Sequence, residues 1–199
     1  TDSIVVSDNN NLSFGDSSND SAFSVSAWVK MTEATNTSFI SKGIYNTSGE
    51  WWFITQGADK LHFNLFDEDV ASCYIGQRSS SAITTHEGEW IHIAATYTGS
   101  SASSGVVLYL NGAVLPSAAF ENNAGSYVAM ENDDADVHIG RYSSNYLDGY
   151  MCNVGIFSAA LTQPQIKSIM NKNYAGLTST EKTNLVSWWN LDEQTATDG

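Results

Sequence analysis

The chain has 199 residues, a hydrophobic fraction of 42% and an aromatic fraction of 12%, which favours a packed globular domain over a disordered chain. Its 22 acidic residues against 8 lysines and arginines give a formal net charge of −14. Such a charge repels phosphate backbones, so we expect no nucleic-acid partner. No apolar run approaches the roughly 20 residues that cross a bilayer, so we expect no membrane insertion.

Short apolar segments separated by turn residues predict a succession of β-strands. Residues 23–31 alternate cleanly, with five apolar side chains on one face and Ser24, Ser26, Trp28 and Lys30 on the other. The further predicted strands are residues 38–42, 51–56, 60–66, 71–76, 90–98, 106–111, 136–141, 149–157 and 185–191. This pattern is typical of a β-sandwich or β-barrel.

One helix is predicted near the C-terminus. Thr162 and Gln165 have the spacing of a capping box, and a proline lies between them in the first turn. Ile166, Ile169 and Met170 then form an apolar stripe at helical spacing.

The most specific pattern is a predicted hairpin in the middle of the chain. Residues 88–97 read G-E-W-I-H-I-A-A-T-Y, and residues 106–112 read V-V-L-Y-L-N-G. These runs resemble the W-x-H-x-A-x-x-Y and L-Y-x-N-G motifs of laminin-G-like domains in the concanavalin A-like lectin/glucanase superfamily. Further segments resemble other family strands, namely residues 22–30, 40–43, 137–141 and 148–161.

The resemblance implies the fold and the domain organisation. We expect an all-β, concanavalin A-like jelly-roll sandwich of two antiparallel sheets with one short helix near the C-terminus. Residues 1–199 would form a single laminin-G-like domain. Residues 185–193 resemble the family's opening strand but stand last here, so residues 185–199 are either a closing strand or the start of a following repeat.

The acidic run at residues 131–136 is the candidate for the catalytic carboxylates of a hydrolase. Laminarinase-like relatives carry catalytic carboxylates spaced E-x-D-x-x-E, and Glu131, Asp133 and Asp136 occupy those positions. The family motif places apolar residues between its acids, whereas polar residues dominate between them here. The run is therefore typical of a solvated acidic loop, and we expect no catalytic residues and no enzyme activity.

The acidic clusters and the resemblance favour a bound calcium ion. Ca²⁺ takes about six to eight oxygen ligands, and no EF-hand spacing is present, so separate loops would have to supply them. The predicted ligands are Asp133, Asp136 and Asp148. Residues 67–69 and 192–193 are further acidic clusters, and each cluster alone is equally typical of a solvated loop.

Aromatic and polar side chains predict a surface for glycans. Aromatic rings pack on the apolar faces of sugars, while polar groups satisfy the hydroxyls. Trp28 lies on the polar face of its strand, and the adjacent Trp51 and Trp52 must point to opposite faces. Structural packing is the alternative for each tryptophan. The predicted contacts are Trp28, Trp52, Asp67, Asp69, Arg141, Tyr142, Asn145 and Tyr146.

The two cysteines, Cys73 and Cys152, each lie inside a predicted strand. Two buried thiols and one disulfide between neighbouring strands are both compatible with the sequence.

The resemblance implies a non-catalytic binding module for carbohydrate or cell-surface ligands, assisted by calcium, outside the cell or on a virion surface. One alternative is a structural decoration or fibre domain that binds protein partners on a phage particle. A laminarinase-like hydrolase is the least favoured alternative.

Overall fold

The strands of the protein stack in two layers. A computed structural model describes residues 2–191. In chain order its strands are β1 (Ile4–Val6), β2 (Phe23–Met31), β3 (Ser38–Lys42), β4 (Trp51–Gln56), β5 (Lys60–Asp67), β6 (Cys73–Ala82), β7 (Ile91–Tyr97), β8 (Val106–Leu110), β9 (Ala113–Val114), β10 (Ser117–Ala119), β11 (Val137–Ile139), β12 (Arg141–Tyr142), β13 (Asn145–Tyr146), β14 (Gly149–Phe157) and β15 (Leu185–Trp189). The α-helix is α1 (Gln163–Ile169), and single 3-10 turns lie at Asn10–Leu12, Thr84–His86, Ser103–Gly105, Ala124–Ser126 and Tyr174–Gly176.

Two large antiparallel sheets form the sandwich. Seven strands pair in the order β1-β11-β3-β4-β5-β6-β10, and six pair in the order β15-β14-β2-β7-β8-β9. A separate two-stranded hairpin consists of β12 and β13. The predicted all-β jelly-roll sandwich with one short helix is confirmed. None of the helices within residues 2–191 has the length and apolarity needed to cross a membrane.

The period of two in β2 determines which side chains form the core. Its five apolar residues are at most 1% exposed and belong to the cluster between the sheets. Phe23 stacks on Phe14 with ring centroids 4.2 Å apart and contacts Phe63 at 5.5 Å. Because alternate side chains of a strand point to opposite faces, the polar face of β2 must lie outside this core.

Helix α1 covers the outer face of the six-stranded sheet. Its predicted capping box is present: the Thr162 amide donates to Gln165 Oε1 at 2.8 Å, and the Gln165 amide donates to the Thr162 side chain. The buried Ile166 and Ile169 pack in one cluster with Phe157 of β14. Two of the three residues of the predicted apolar stripe therefore face the sheet.

A buried lysine joins the N-terminal segment to the seven-stranded sheet. Lys42, at the end of β3, has no exposed side-chain surface. Its ammonium donates to Asp8 and to the Ala135 carbonyl at 2.6 Å, and lies 3.2 Å from Glu50 Oε1. Burial raises the pKa of Glu50 to about 8, against the opposing attraction of the Lys42 ammonium.

Some predicted strand boundaries differ from the structure. The strand predicted at 71–76 continues to Ala82, because β10 pairs with its second half through Ser117↔Ser79. The strand predicted at 136–141 is only Val137–Ile139, because Gly140 adopts a φ of +79° and turns the chain into the hairpin.

The final strand lies at a sheet edge. β15 pairs with β14 in the six-stranded sheet, with Trp189 opposite Val154. Residues 192–199, including the acidic pair at 192–193, lie outside the described residues, and the number of domains stays a prediction.

The disulfide alternative is wrong. Cys73 is a buried free thiol at the start of β6, whereas Cys152 lies in β14 of the opposite sheet. The two residues are therefore not on neighbouring strands. Burial also raises the pKa of the Cys73 thiol to about 11, which disfavours the thiolate that disulfide exchange requires.

Candidate functional site

A polar groove of about 850 Å³ opens beside the β12–β13 hairpin. One wall comes from the hairpin and the turn that follows it, and the other comes from the loop after β2. The polar side chains of the lining are Asp2, Glu33, Thr35, Asn36, Ser144, Asn145, Tyr146 and Asp148. We call this feature the rim groove.

The hairpin positions the aromatic ring of the rim groove. A two-residue turn joins its strands, with Ser143 at a left-handed φ of 53°, and the register places Arg141 opposite Tyr146. The Arg141 guanidinium lies over the Tyr146 ring, 5.3 Å from its centroid, and Arg141 Nε donates to the Ser143 carbonyl at 2.8 Å. Ser41 Oγ donates to the Arg141 carbonyl at 3.0 Å, which fixes the hairpin to β3.

The turn between the hairpin and β14 holds Asp148 close to β2. The Thr32 amide donates to the Asp148 carbonyl at 2.7 Å. The next residue, Gly149, has a φ of +153°, and a Cβ there would lie 2.0 Å from the Lys30 carbonyl oxygen. Only glycine permits this approach, so the two walls of the rim groove are held together through the β2–β14 pairing.

The structure brings several predicted site residues together at the rim groove and excludes others. Asn145, Tyr146 and Asp148 line it, and Arg141 supports Tyr146. Asp148 is exposed, with its side chain available to a ligand. These residues come from the predicted segment 141–148, which therefore supplies one wall of the candidate site.

Trp52 and Tyr142 meet, but as packing residues. Their ring centroids are 4.6 Å apart, on the outer face of the seven-stranded sheet. Trp52 is only 7% exposed, and its indole donates to Asn64 Oδ1 at 3.1 Å. Burial raises the pKa of the Tyr142 phenol to about 12. Trp52 therefore presents no free face of the kind that sugar stacking requires, and the half-buried Tyr142 packs edge-on against it.

Trp28 anchors the helical segment. Its indole N–H donates to the Met170 carbonyl at 2.6 Å, just after α1 ends, and its ring meets His92 edge-on at 5.6 Å. The tryptophan is on the outer face, as predicted, but the structure assigns that face a packing role at this position.

Replacing Trp28 with phenylalanine should lower the free energy of unfolding by about 1 to 2 kcal/mol, because the Met170 carbonyl loses its donor while ring packing is largely kept. Urea unfolding followed by circular dichroism measures the change. Trp90→Phe, at an exposed tryptophan, is the matched control and should stay within about 0.5 kcal/mol of the wild type. Equal stability of the two variants would contradict an anchoring role for Trp28.

The acidic loops are held by backbone hydrogen bonds. Asp67 is 3% exposed and accepts from the amides of Val70 at 3.2 Å and Val128 at 2.8 Å. Asp69 is exposed, and its amide donates to Glu131 Oε1 at 3.3 Å. Asp67 is therefore a loop-forming residue rather than an open contact.

The prediction of a solvated loop at 131–136 is wrong for its first residue. The segment is a loop, but Glu131 is only 6% exposed and accepts from the Glu68 amide at 2.8 Å. Burial raises the pKa of Glu131 to about 7. This carboxyl fastens two loops together and does not line the rim groove.

The predicted calcium ligands do not form one set. Asp136 Oδ1 accepts from the Asp8 amide at 3.1 Å, whereas Asp148 lies in the rim groove. Within residues 2–191, no three His, Cys, Asp or Glu side chains are arranged to hold a metal ion. The described residues thus do not fit a calcium site built from Asp133, Asp136 and Asp148.

Sequence reasoning missed the second wall of the rim groove. Glu33, Thr35 and Asn36 stand in a polar loop after β2, more than a hundred residues before the hairpin. The run T-E-A-T-N-T signals a turn, and Asn36 does adopt a left-handed φ of 49°. Nothing local to that run indicates which other loop it will face.

Two large antiparallel sheets stacked as a sandwich define a jelly roll. The family model described as the concanavalin A-like lectin/glucanases superfamily matches residues 3–167, and the chain belongs to this family. No curated protein matches the chain in sequence.

Solved structures share the fold at low sequence identity. A proposed carbohydrate binding protein from Bacteroides ovatus superposes with a TM-score of 0.62 at 17% identity, over 100% of this chain and 52% of that one. The second structure is Domain 4 of AbnA, a GH43 extracellular arabinanase from Geobacillus stearothermophilus, solved with arabinotriose. It superposes with a TM-score of 0.55 at 21% identity, over 84% of this chain and 71% of that one. A heptameric SAP-like pentraxin from Limulus polyphemus superposes with a TM-score of 0.50 at 17% identity, over 84% of this chain and 80% of that one. This chain thus spans about half the length of the Bacteroides ovatus protein.

Proposed function

We propose that the protein is a non-catalytic binding module that holds a neutral glycan in the rim groove. The observation that carries the proposal is the ring of Tyr146, held by Arg141 at the edge of a groove that is otherwise polar. An aromatic face suits the C–H side of a sugar ring, and surrounding amides and carboxylates suit its hydroxyls.

Charge supports a neutral ligand over an anionic one. The chain has a formal net charge of −14, and the carboxylates of Glu33 and Asp148 both line the rim groove. A phosphorylated or sulfated ligand would be repelled there. The arabinotriose in the Geobacillus stearothermophilus domain is a neutral oligosaccharide on the same fold, which supports this ligand class.

Hydrolysis is not part of the proposal. Glu131 is engaged by the backbone amides of Glu68 and Asp69, away from the rim groove. A retaining glycosidase needs two carboxyls about 5 Å apart facing its substrate. An extracellular or virion-surface location follows from the proposed ligand class and is proposed with it.

Replacing Tyr146 with alanine should weaken binding of a neutral oligosaccharide about tenfold, because the stacking face is removed. A glycan array, followed by calorimetry on the best ligand and on arabinotriose, measures the change. Tyr174→Ala, at a tyrosine that is 48% exposed outside the rim groove, is the matched control.

Three results would decide against the proposal or refine it. Silence of the wild-type protein across a broad neutral array contradicts the proposal. Equal losses in the two tyrosine variants contradict the rim groove as the site. Repeating the titration with a chelator tests calcium assistance, which stays a prediction.

A structural assembly domain is the second candidate, and one observation favours it. β1 is an edge strand whose Ile4 and Val5 are 38% and 51% exposed. Exposed apolar edge strands offer a template for pairing with another chain. Light scattering that shows specific oligomers, together with silence on the array, would favour assembly over glycan binding.

A further inference from the structure

The outer face of the six-stranded sheet has an uncovered end. Trp28 is covered there, because its indole N–H donates to the Met170 carbonyl just after α1. Beyond Trp28 along β2 comes Lys30, and two exposed aromatic residues flank it, one in β14 and one directly before β7. Tyr150 is 67% exposed and Trp90 is 45% exposed.

The strand register places these side chains in one row. Tyr150 of β14 is the direct partner of Lys30. On the other side, Ile91 pairs with Val29, so Trp90, one residue earlier, flanks Lys30. The row Tyr150–Lys30–Trp90 thus crosses β14 and β2 and ends at the residue just before β7.

The three side chains share the outer face. Val29 and Ile91 belong to the core between the sheets, and Met151 packs against that core. Because side chains alternate along a strand, Lys30 and Tyr150 must point the other way. Trp90, directly before the buried Ile91, is exposed beside them. Among the described residues, the side chains of Trp90 and Tyr150 make no hydrogen bond, ion pair or ring contact.

We infer that this row is a second contact surface that binds an extended neutral polysaccharide, with sugar rings stacked on Trp90 and Tyr150 and Lys30 donating to hydroxyls between them. Adjacent strands are about 4.8 Å apart, so the two aromatic positions are separated by about 9.5 Å. That is the scale of consecutive rings along a sugar chain, not of one monosaccharide. The inference rests on the proposed glycan function but concerns a different site.

Charge argues for a neutral polymer here too. Lys30 is the cation of the row, but Glu89 precedes Trp90 and Asp148 stands two residues before Tyr150. With a formal charge of −14 on the whole chain, a polyanion would be repelled. A flat apolar and hydrogen-bonding strip suits the alternating C–H and O–H faces of an uncharged sugar chain.

The test is native electrophoresis in gels that contain soluble polysaccharides: hydroxyethyl cellulose, arabinan and laminarin as neutral polymers, and polygalacturonate as an anionic one. The wild-type protein should be retarded by at least one neutral polymer. Trp90→Ala and Tyr150→Ala should each raise the dissociation constant on the order of tenfold, and Trp90→Phe should retain most of the binding. Tyr174→Ala is the matched control and should behave as the wild type. Thermal melts verify that each variant is folded.

The outcomes separate this row from the rim groove. If Tyr146→Ala abolishes the retardation by polymer, and Trp90→Ala and Tyr150→Ala do not, the inference is overturned and the proposed function survives. Loss of polymer binding in Trp90→Ala and Tyr150→Ala, with oligosaccharide binding intact, supports the inference. Retardation by polygalacturonate alone overturns the inference. Self-association of the wild-type protein that Trp90→Ala abolishes also overturns it, because the row would then be a contact between copies of the chain. No retention by any polymer also overturns it, and silence on the glycan array then removes the proposed function as well.

Discussion

Replacing Lys42 with methionine should lower the free energy of unfolding by about 3 to 5 kcal/mol. The variant leaves the Ala135 carbonyl and the Asp8 carboxylate without their donor, and it takes the ammonium away from Glu50. Each hydrogen bond from a charged group is worth about 1.5 to 3 kcal/mol. Methionine fills a similar volume, so the loss reports on charge and hydrogen bonding rather than on a cavity. Urea unfolding at neutral pH measures it.

The matched control for Lys42→Met is Lys60→Met, at the half-buried first residue of β5. Its change in stability should stay within about 0.5 kcal/mol. Equal stability of the two single-lysine variants would show that the buried ammonium contributes nothing.

Replacing Glu131 with glutamine should stabilise the protein increasingly as pH rises. Burial raises the pKa of Glu131 from 4.5 to about 7, so the native state binds this proton more tightly than the unfolded state. The stability that this carboxyl contributes is therefore fully present below pH 4.5 and is lost as pH rises through about 7. Glutamine keeps one acceptor oxygen, for the Glu68 amide, gives up the longer bond from the Asp69 amide at 3.3 Å, and has no proton to lose.

The difference in unfolding free energy between Glu131→Gln and the wild type should grow by about 3 kcal/mol from pH 4 to pH 8. Urea unfolding at half-unit pH intervals measures it. Glu89→Gln, at an exposed glutamate, is the control that should track the wild type at every pH. A difference that does not change with pH would contradict the raised pKa. The same variant should leave glycan binding intact, because Glu131 does not line the rim groove.

The long elements of the fold were predictable because each has a periodic pattern of its own. Strand β2 has five apolar residues at alternate positions, and α1 begins at a capping box formed by Thr162 and Gln165. Such patterns act within a few residues, so they can be recognised without knowing the tertiary structure. The short strands β9, β12 and β13 have two residues each, too few to show a period.

The candidate site was predictable only in part, because its two walls come from distant segments. The polar and aromatic composition of residues 141–148 indicated one wall. The other wall, at Glu33 to Asn36, depends on the pairing of β2 with β14, which no local pattern specifies. Acidic composition also gave a wrong prediction of solvent exposure. Glu131 is an acidic residue, but it is buried and accepts hydrogen bonds from the Glu68 and Asp69 amides.

The central position of β2 and β7 in their sheet affects how a ligand would meet the outer row. Both strands are paired on each side, so the backbone at Val29 and Ile93, close to the row, should exchange its amide hydrogens slowly. A polymer docking there finds side chains on a rigid support and gives up little conformational entropy of the protein. The Tyr146 ring rests instead on a two-residue strand, so binding at the hairpin should carry the larger ordering cost.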